Sequence, residues 1–159
     1  MFVACSLNMS DFKEITEFIS NSYIISKYFR PIPYGSINMK VIQTSSVIDI
    51  SKSLESAFSY IDDFEMEIDS TYLYPDSMIG IKLLLVDRCI FNIFQKLRTE
   101  TQTKFNIHLD EVIFHITLAK CFKKVSLEDI NAFNEEFYKL CSIVNKITYI
   151  NFNKPSVCF

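Results

Sequence analysis

Glycine is nearly absent from this chain: it has two in 159 residues, with four prolines and no tryptophan. Such scarcity excludes a collagen-like repeat and a Pro/Gly-rich linker protein. Phosphate-cradling glycine loops are missing as well, since neither G-x-x-x-x-G-K-[ST] nor G-x-G-x-x-G occurs. H-E-x-x-H and G-x-S-x-G are also absent. The best apolar run, Ile79-Gly80-Ile81-Lys82-Leu83-Leu84-Leu85-Val86, falls far short of the ~20 residues a bilayer needs, so no membrane partner is expected. The stretch Met1–Met9 lacks a basic region and meets Asp11 too soon for a signal peptide, so a cytoplasmic location is the expectation.

Positive charge is scarce too. The net charge is −3, which gives no bulk field to attract duplex DNA; a nucleotide would have to be held locally. The five cysteines, Cys5, Cys89, Cys121, Cys141 and Cys158, are widely spaced without a C-x-x-C pair. Zinc and disulfide frameworks are therefore not expected, and buried free thiols are. A metal held by His108 and His115 would have to borrow Asp110 and Glu111 from a polar connector, so neither metal nor cofactor is expected.

What the chain does have is apolar mass, 49% hydrophobic and 14% aromatic. A chain of this size buries roughly 70% of its unfolded surface, enough for a single domain spanning residues 1–159. Strand patterns are read at Met1–Asn8, Ser36–Gln43, Phe64–Asp69 (extended by Tyr72 and Tyr74), Met78–Val86, Glu111–Lys120 and Thr148–Asn153. Helical spacing is read from Ser10 to Tyr28, over Ile50–Ile61 and Asp87–Thr103, and after Ser126-Leu127-Glu128-Asp129, which resembles a capping box. In that last helix Leu127, Ile130, Phe133, Phe137, Leu140, Cys141 and Val144 are expected inward. Arg30-Pro31-Ile32-Pro33-Tyr34-Gly35 reads as a break. Intermixed helices and hairpin-like strands indicate an α+β fold.

The tetrad His115-Ile116-Thr117-Leu118 carries the chemistry. In a strand, His115 and Thr117 share one face while Phe114, Ile116 and Leu118 anchor the other. An imidazole and a hydroxyl at i and i+2 can protonate one phosphate oxygen and hydrogen-bond another. A half-buried, hydrogen-bonded histidine fits the same short pattern.

The order of elements from Phe64 to Lys120, ending in H-x-T-hydrophobic, resembles the C-terminal lobe of the 2H phosphoesterase superfamily, the LigT-like fold. Upstream, Pro33-Tyr34-Gly35-Ser36-Ile37-Asn38-Met39-Lys40-Val41 is similar to that family's "P-x-x-S-x-H-M-T-V" first motif, with Asn38 in place of His and Lys40 in place of Thr. The resemblance extends roughly from Ser36 to Asn153. It implies two lobes, each an antiparallel sheet backed by helices, around a central cleft. It also implies metal-independent acid–base chemistry by two histidines, with two hydroxyls holding the phosphate.

Carried over residue by residue, His115 and Thr117 match as catalytic positions, while Asn38 and Lys40 become ligand-binding ones. An amide cannot exchange a proton near neutral pH; a lysine supplies a fixed charge for an anion. Tyr34, Tyr72 and Tyr74 are candidates for stacking on a base, and Arg30, Lys120, Lys123 and Lys124 for the cleft mouth. As the substitute for the missing histidine, His108 has the wrong parity and distance. Three functions follow. The first is a phosphodiesterase acting on a nucleotide or RNA-end phosphodiester (a 2′,3′-cyclic phosphate or 2′–5′ linkage, as in 2′–5′ oligoadenylate). The second is a non-catalytic phosphate-binding descendant, and the third a protein-interaction domain with an unidentified partner.

Overall fold

The computed structural model describes residues 1–7, 12–109, 111 and 113–158. In chain order its elements are β1 (Phe2–Ser6), α1 (Phe12–Asn21), α2 (Tyr23–Ser26), β2 (Phe29–Pro31), a 3-10 turn (Tyr34–Ser36), β3 (Asn38–Gln43) and α3 (Ser51–Ala57). There follow β4 (Asp63–Tyr74), β5 (Met78–Leu84), α4 (Arg88–Phe105), β6 (His115–Cys121), α5 (Ile130–Val144), β7 (Tyr149–Asn153) and β8 (Ser156–Cys158). The strands form one antiparallel sheet in the order β7-β4-β5-β6-β3-β1-β8, with β2 also pairing β6. An antiparallel bridge from Leu7 to Phe152 brings β1 back toward β7, so the sheet curls toward closure. The α+β, two-lobed expectation holds, with both lobes sharing this sheet. One carries β8, β1 and β3; the other carries β6, β5, β4 and β7; Met39 pairs with Ile116 where they join.

Apolar alternation gives the sheet a core face, and the helices pack against it. Phe64 and Phe152 stack at 5.8 Å between ring centres, and Phe94 of α4 meets Phe58, Phe64 and Phe114 at 5.4, 5.6 and 5.8 Å. A second aromatic group joins Phe133 of α5 to Phe29 of β2 at 5.5 Å and to Tyr28 at 6.5 Å. Each of these rings that is fully buried contributes about 1.5–3 kcal/mol of apolar transfer; Phe114 is half-buried.

Several expectations are corrected. The helix expected to run on to Tyr28 breaks at Ser22, whose hydroxyl caps α2 by accepting from Ile25 N at 3.3 Å and donates to Glu136 Oε2 at 3.0 Å. Asn8, at the end of the first expected strand, and Ser10, at the start of that helix, lie outside the described residues. Where the expected break begins, at Arg30 and Pro31, the strand Phe29–Pro31 runs instead: proline's missing donor is tolerated at the end of a short strand. The strand expected from Glu111 begins at His115, with Asp110 and Val112 outside the described residues. Ser126 does not cap α5. Asp129 stands at the cap position without a side-chain cap bond, because Lys27 Nζ, at 2.5 Å, and the Tyr28 hydroxyl both hold its carboxylate. Leu127 and Ile130 face solvent rather than the core. Of the cysteines only Cys5 is buried, which pushes its thiol pKa up; Cys89 is exposed and the other three are half-buried.

Candidate functional site

The two motif strands lie side by side. Met39 and Ile116, both fully buried, pair across the join. One antiparallel step either way sets Asn38 beside Thr117 and Lys40 beside His115, all on the face away from the core. Asn38, Lys40, His115 and Thr117 line one cleft of about 370 Å³ with Ile32, Ser36, Gln43, Met78 and Lys120. Among the described residues its formally charged lining groups are the two lysines, so the cleft wall is cationic in a molecule of net charge −3.

Two β-bulges shape the wall. In β6, Ile79 pairs with Ala119 and Gly80 with Thr117, leaving Leu118 as an extra residue. In β3, Val3 pairs with Ile42 and Ala4 with Lys40, leaving Val41 extra. Each extra residue puts two successive side chains on the core side, Leu118 with Ala119 and Val41 with Ile42, all buried. The next residue is thereby turned outward. Ala119, which unbroken alternation would put on the face of His115, is consequently in the core, and Lys120 takes its place in the cleft; Gln43 is brought in the same way. Asn38-Met39-Lys40-Val41-Ile42-Gln43 and His115-Ile116-Thr117-Leu118-Ala119-Lys120 are thus matching strands, bulged at the same place.

His115 Nδ1 is 2.8 Å from the Ile113 carbonyl, which can only accept, so Nδ1 is the donor in this contact and Nε2 is the ring nitrogen left for a ligand. The Thr117 hydroxyl donates only to the soft Met78 sulfur, at 3.6 Å. Asn38 Nδ2 donates to the Ser36 carbonyl at 3.0 Å. Lys40 Nζ lies 3.4 Å from Gln43 Oε1 and 4.9 Å from the centre of the Phe2 ring.

Beyond His115 the wall is aromatic. A neighbouring pocket of about 320 Å³ shares His115 and Met78 with the first and adds Tyr72 and Tyr74. Tyr72 meets Tyr74 edge-on at 5.0 Å and His115 at 6.4 Å. Burial, reinforced by Tyr74, raises the Tyr72 phenol above its ordinary pKa and keeps it a donor. Tyr72 lies across Gly80, where a Cβ would come within 2.7 Å of its ring. Tyr34 sits in the exposed 3-10 turn and does not line the cleft; His108, in the loop after α4, is also away from it. Gln43 went unread, and Lys120 was assigned only to the mouth. The signal for both is the apolar doublet, Val41-Ile42 and Leu118-Ala119, that interrupts each alternation. Among the described residues no group of three His, Cys, Asp or Glu is placed to hold a metal.

No sequence-family model and no curated protein matches the chain. Solved structures do. A phosphoesterase superimposes with a TM-score of 0.53 at 17% identity, over 79% of this chain and 75% of its own. E. coli LigT in its apo form gives 0.53 at 17%, over 75% and 70%. Usb1 from Kluyveromyces marxianus gives 0.51 at 9%, over 95% and 89%. The architecture expected from the two motifs is therefore the observed one: this chain has the LigT-like fold of the 2H phosphoesterases.

Proposed function

We propose that this cleft captures the phosphate of a nucleotide or RNA-end phosphodiester and that His115 is its catalytic residue, working without a second histidine. The observation that carries the reading is the convergence of Asn38, Lys40, His115 and Thr117 on one cleft, with no carboxylate among its described lining residues. Lys40 supplies the charge, Thr117 and the Asn38 amide supply neutral donors, and Tyr72 offers a face to the base. A 2′,3′-cyclic phosphate suits such a site, because opening the ring needs only water and proton transfers.

His115 Nε2 takes the proton of the attacking water as the P–O bond to water forms. The ring P–O bond breaks, and its alkoxide takes a proton from solvent water, since Asn38 cannot lend one. General acid–base catalysis is worth about 10²–10⁴-fold per group, so turnover is slow relative to binding.

Calorimetry and a cyclic-phosphate hydrolysis assay test this. Lys40→Ala and Thr117→Ala should each weaken binding, and His115→Ala should abolish hydrolysis, which EDTA should leave unchanged. Absence of heat with any nucleotide at saturating concentration would overturn the reading.

A further inference from the structure

The bulge at Leu118 turns Lys120 onto the open face of the sheet, where a second cation stands beside it on β2. Lys120, turned outward, stands opposite Arg30 of β2 in the sheet register. Both are exposed, and neither makes an ion pair among the described residues. The Arg30 guanidinium carbon lies over the Phe122 ring, 5.1 Å from its centre. Neighbouring cations are already engaged: Lys124 pairs with Asp76 at 3.8 Å, and Lys82 with Asp69 at 3.8 Å.

The spacing is informative. Thr117 lies opposite Gly80 and Lys120 opposite Met78, two residues along β5 and hence ~7 Å apart. That is about the length of one nucleotide's backbone. The matching strand ends in neutral Gln43 rather than a cation, so the pull on a second anion is one-sided. We propose that Lys120 and Arg30 form a second phosphate site and that the ligand is a short single strand or end-phosphorylated nucleotide carrying two phosphates. One phosphate lies at Thr117 and His115, and the next at Lys120 and Arg30. This rests on the phosphate-binding reading above.

Three stable, product-like ligands separate the possibilities: uridine 3′-phosphate, its 5′-phosphorylated form, and the dinucleotide UpUp, titrated by calorimetry. A two-phosphate ligand should bind about tenfold more tightly than uridine 3′-phosphate, as one exposed charge-assisted contact allows. Lys120→Gln should erase the advantage and Arg30→Gln reduce it, with uridine 3′-phosphate unaffected by Arg30→Gln. The logarithmic salt slope for the tighter ligand should flatten by about 0.7 when one contact is lost. A gain confined to UpUp identifies an internucleotide phosphate, and a gain confined to the 5′-phosphorylated form a terminal one. Equal binding of all three by the natural protein, or equal weakening of all three by Lys120→Gln, overturns the second site and leaves the first standing. Failure of all three to bind overturns both.

Discussion

Asn38 and His115 occupy matching places on neighbouring strands, yet an imidazole can serve as a general acid or base and an amide cannot. If turnover is limited by that difference, Asn38→His combined with Lys40→Thr should raise metal-independent hydrolysis of a 2′,3′-cyclic phosphate at least tenfold. The gain sits at the low end for one general acid or base because the surrounding residues are adapted to an amide and a lysine. His115→Ala should remove the activity in either background; an unimproved rate in the repaired protein would show that another group serves in place of Asn38. Gly80 makes a second residue-scale case. A methyl there would lie 2.7 Å from the Tyr72 ring and 2.8 Å from the Ile116 carbonyl, and the backbone oxygen cannot step aside. Gly80→Ala should cost about 1–3 kcal/mol in urea unfolding, the usual range for overpacking. It should also change the near-ultraviolet dichroism as Tyr72 is displaced. His115 and Thr117 were legible in the sequence because a two-residue spacing is a property of one strand. The cleft place of Lys120 was not legible, because a bulge is defined only against the partner strand.

Among the elements, the long ones declare themselves and the short ones do not. β4 and α4 were readable from period alone, whereas β2 and β8, three residues each, are too short to show one and exist through their partners β6 and β1. The entry to α5 was misread for a related reason. Its Ser-x-x-Asp pattern is local, but the carboxylate answers to Lys27 and Tyr28, 102 and 101 residues away in sequence. The hydrogen bond from Lys27, then that from Tyr28, holds the Asp129 carboxyl below its ordinary value of 3.8. The stabilisation is therefore present above that value and lost as pH falls through the lower folded one. The same contact raises Lys27 above 10.5, so its share is present below that pH and lost as pH climbs past the raised value. Asp129→Asn should lower the melting temperature at neutral pH, with the gap from the natural protein closing in acid below 3.8. A gap that stays constant with pH would mean that the charge on Asp129 contributes nothing to holding α5 against α2.

At the scale of the molecule, the cleft depends on how two halves of one sheet are joined. One half presents Asn38, Lys40 and Gln43; the other presents His115, Thr117 and Lys120. Where β3 meets β6 the register pair is Met39 with Ile116, and the Leu7–Phe152 bridge ties the opposite ends of the sheet. Core packing under that pair thus sets the relative position of the two sets of donors. Met39 is fully buried, so Met39→Ala should leave a cavity and cost about 2–5 kcal/mol of unfolding free energy. Leu54, buried in α3 and absent from the cleft lining, is the matched control: Leu54→Ala should destabilise by a similar amount. The two variants should part company in ligand binding, measured by calorimetry well below their melting temperatures. Loosening the join moves Asn38 and Lys40 against His115 and Thr117, and a displacement of about 1 Å is enough to spoil converging contacts. Met39→Ala should therefore weaken nucleotide binding beyond its share of unfolded protein, while Leu54→Ala should not. Equal affinity in both would show that each half holds phosphate on its own and that the join contributes stability alone.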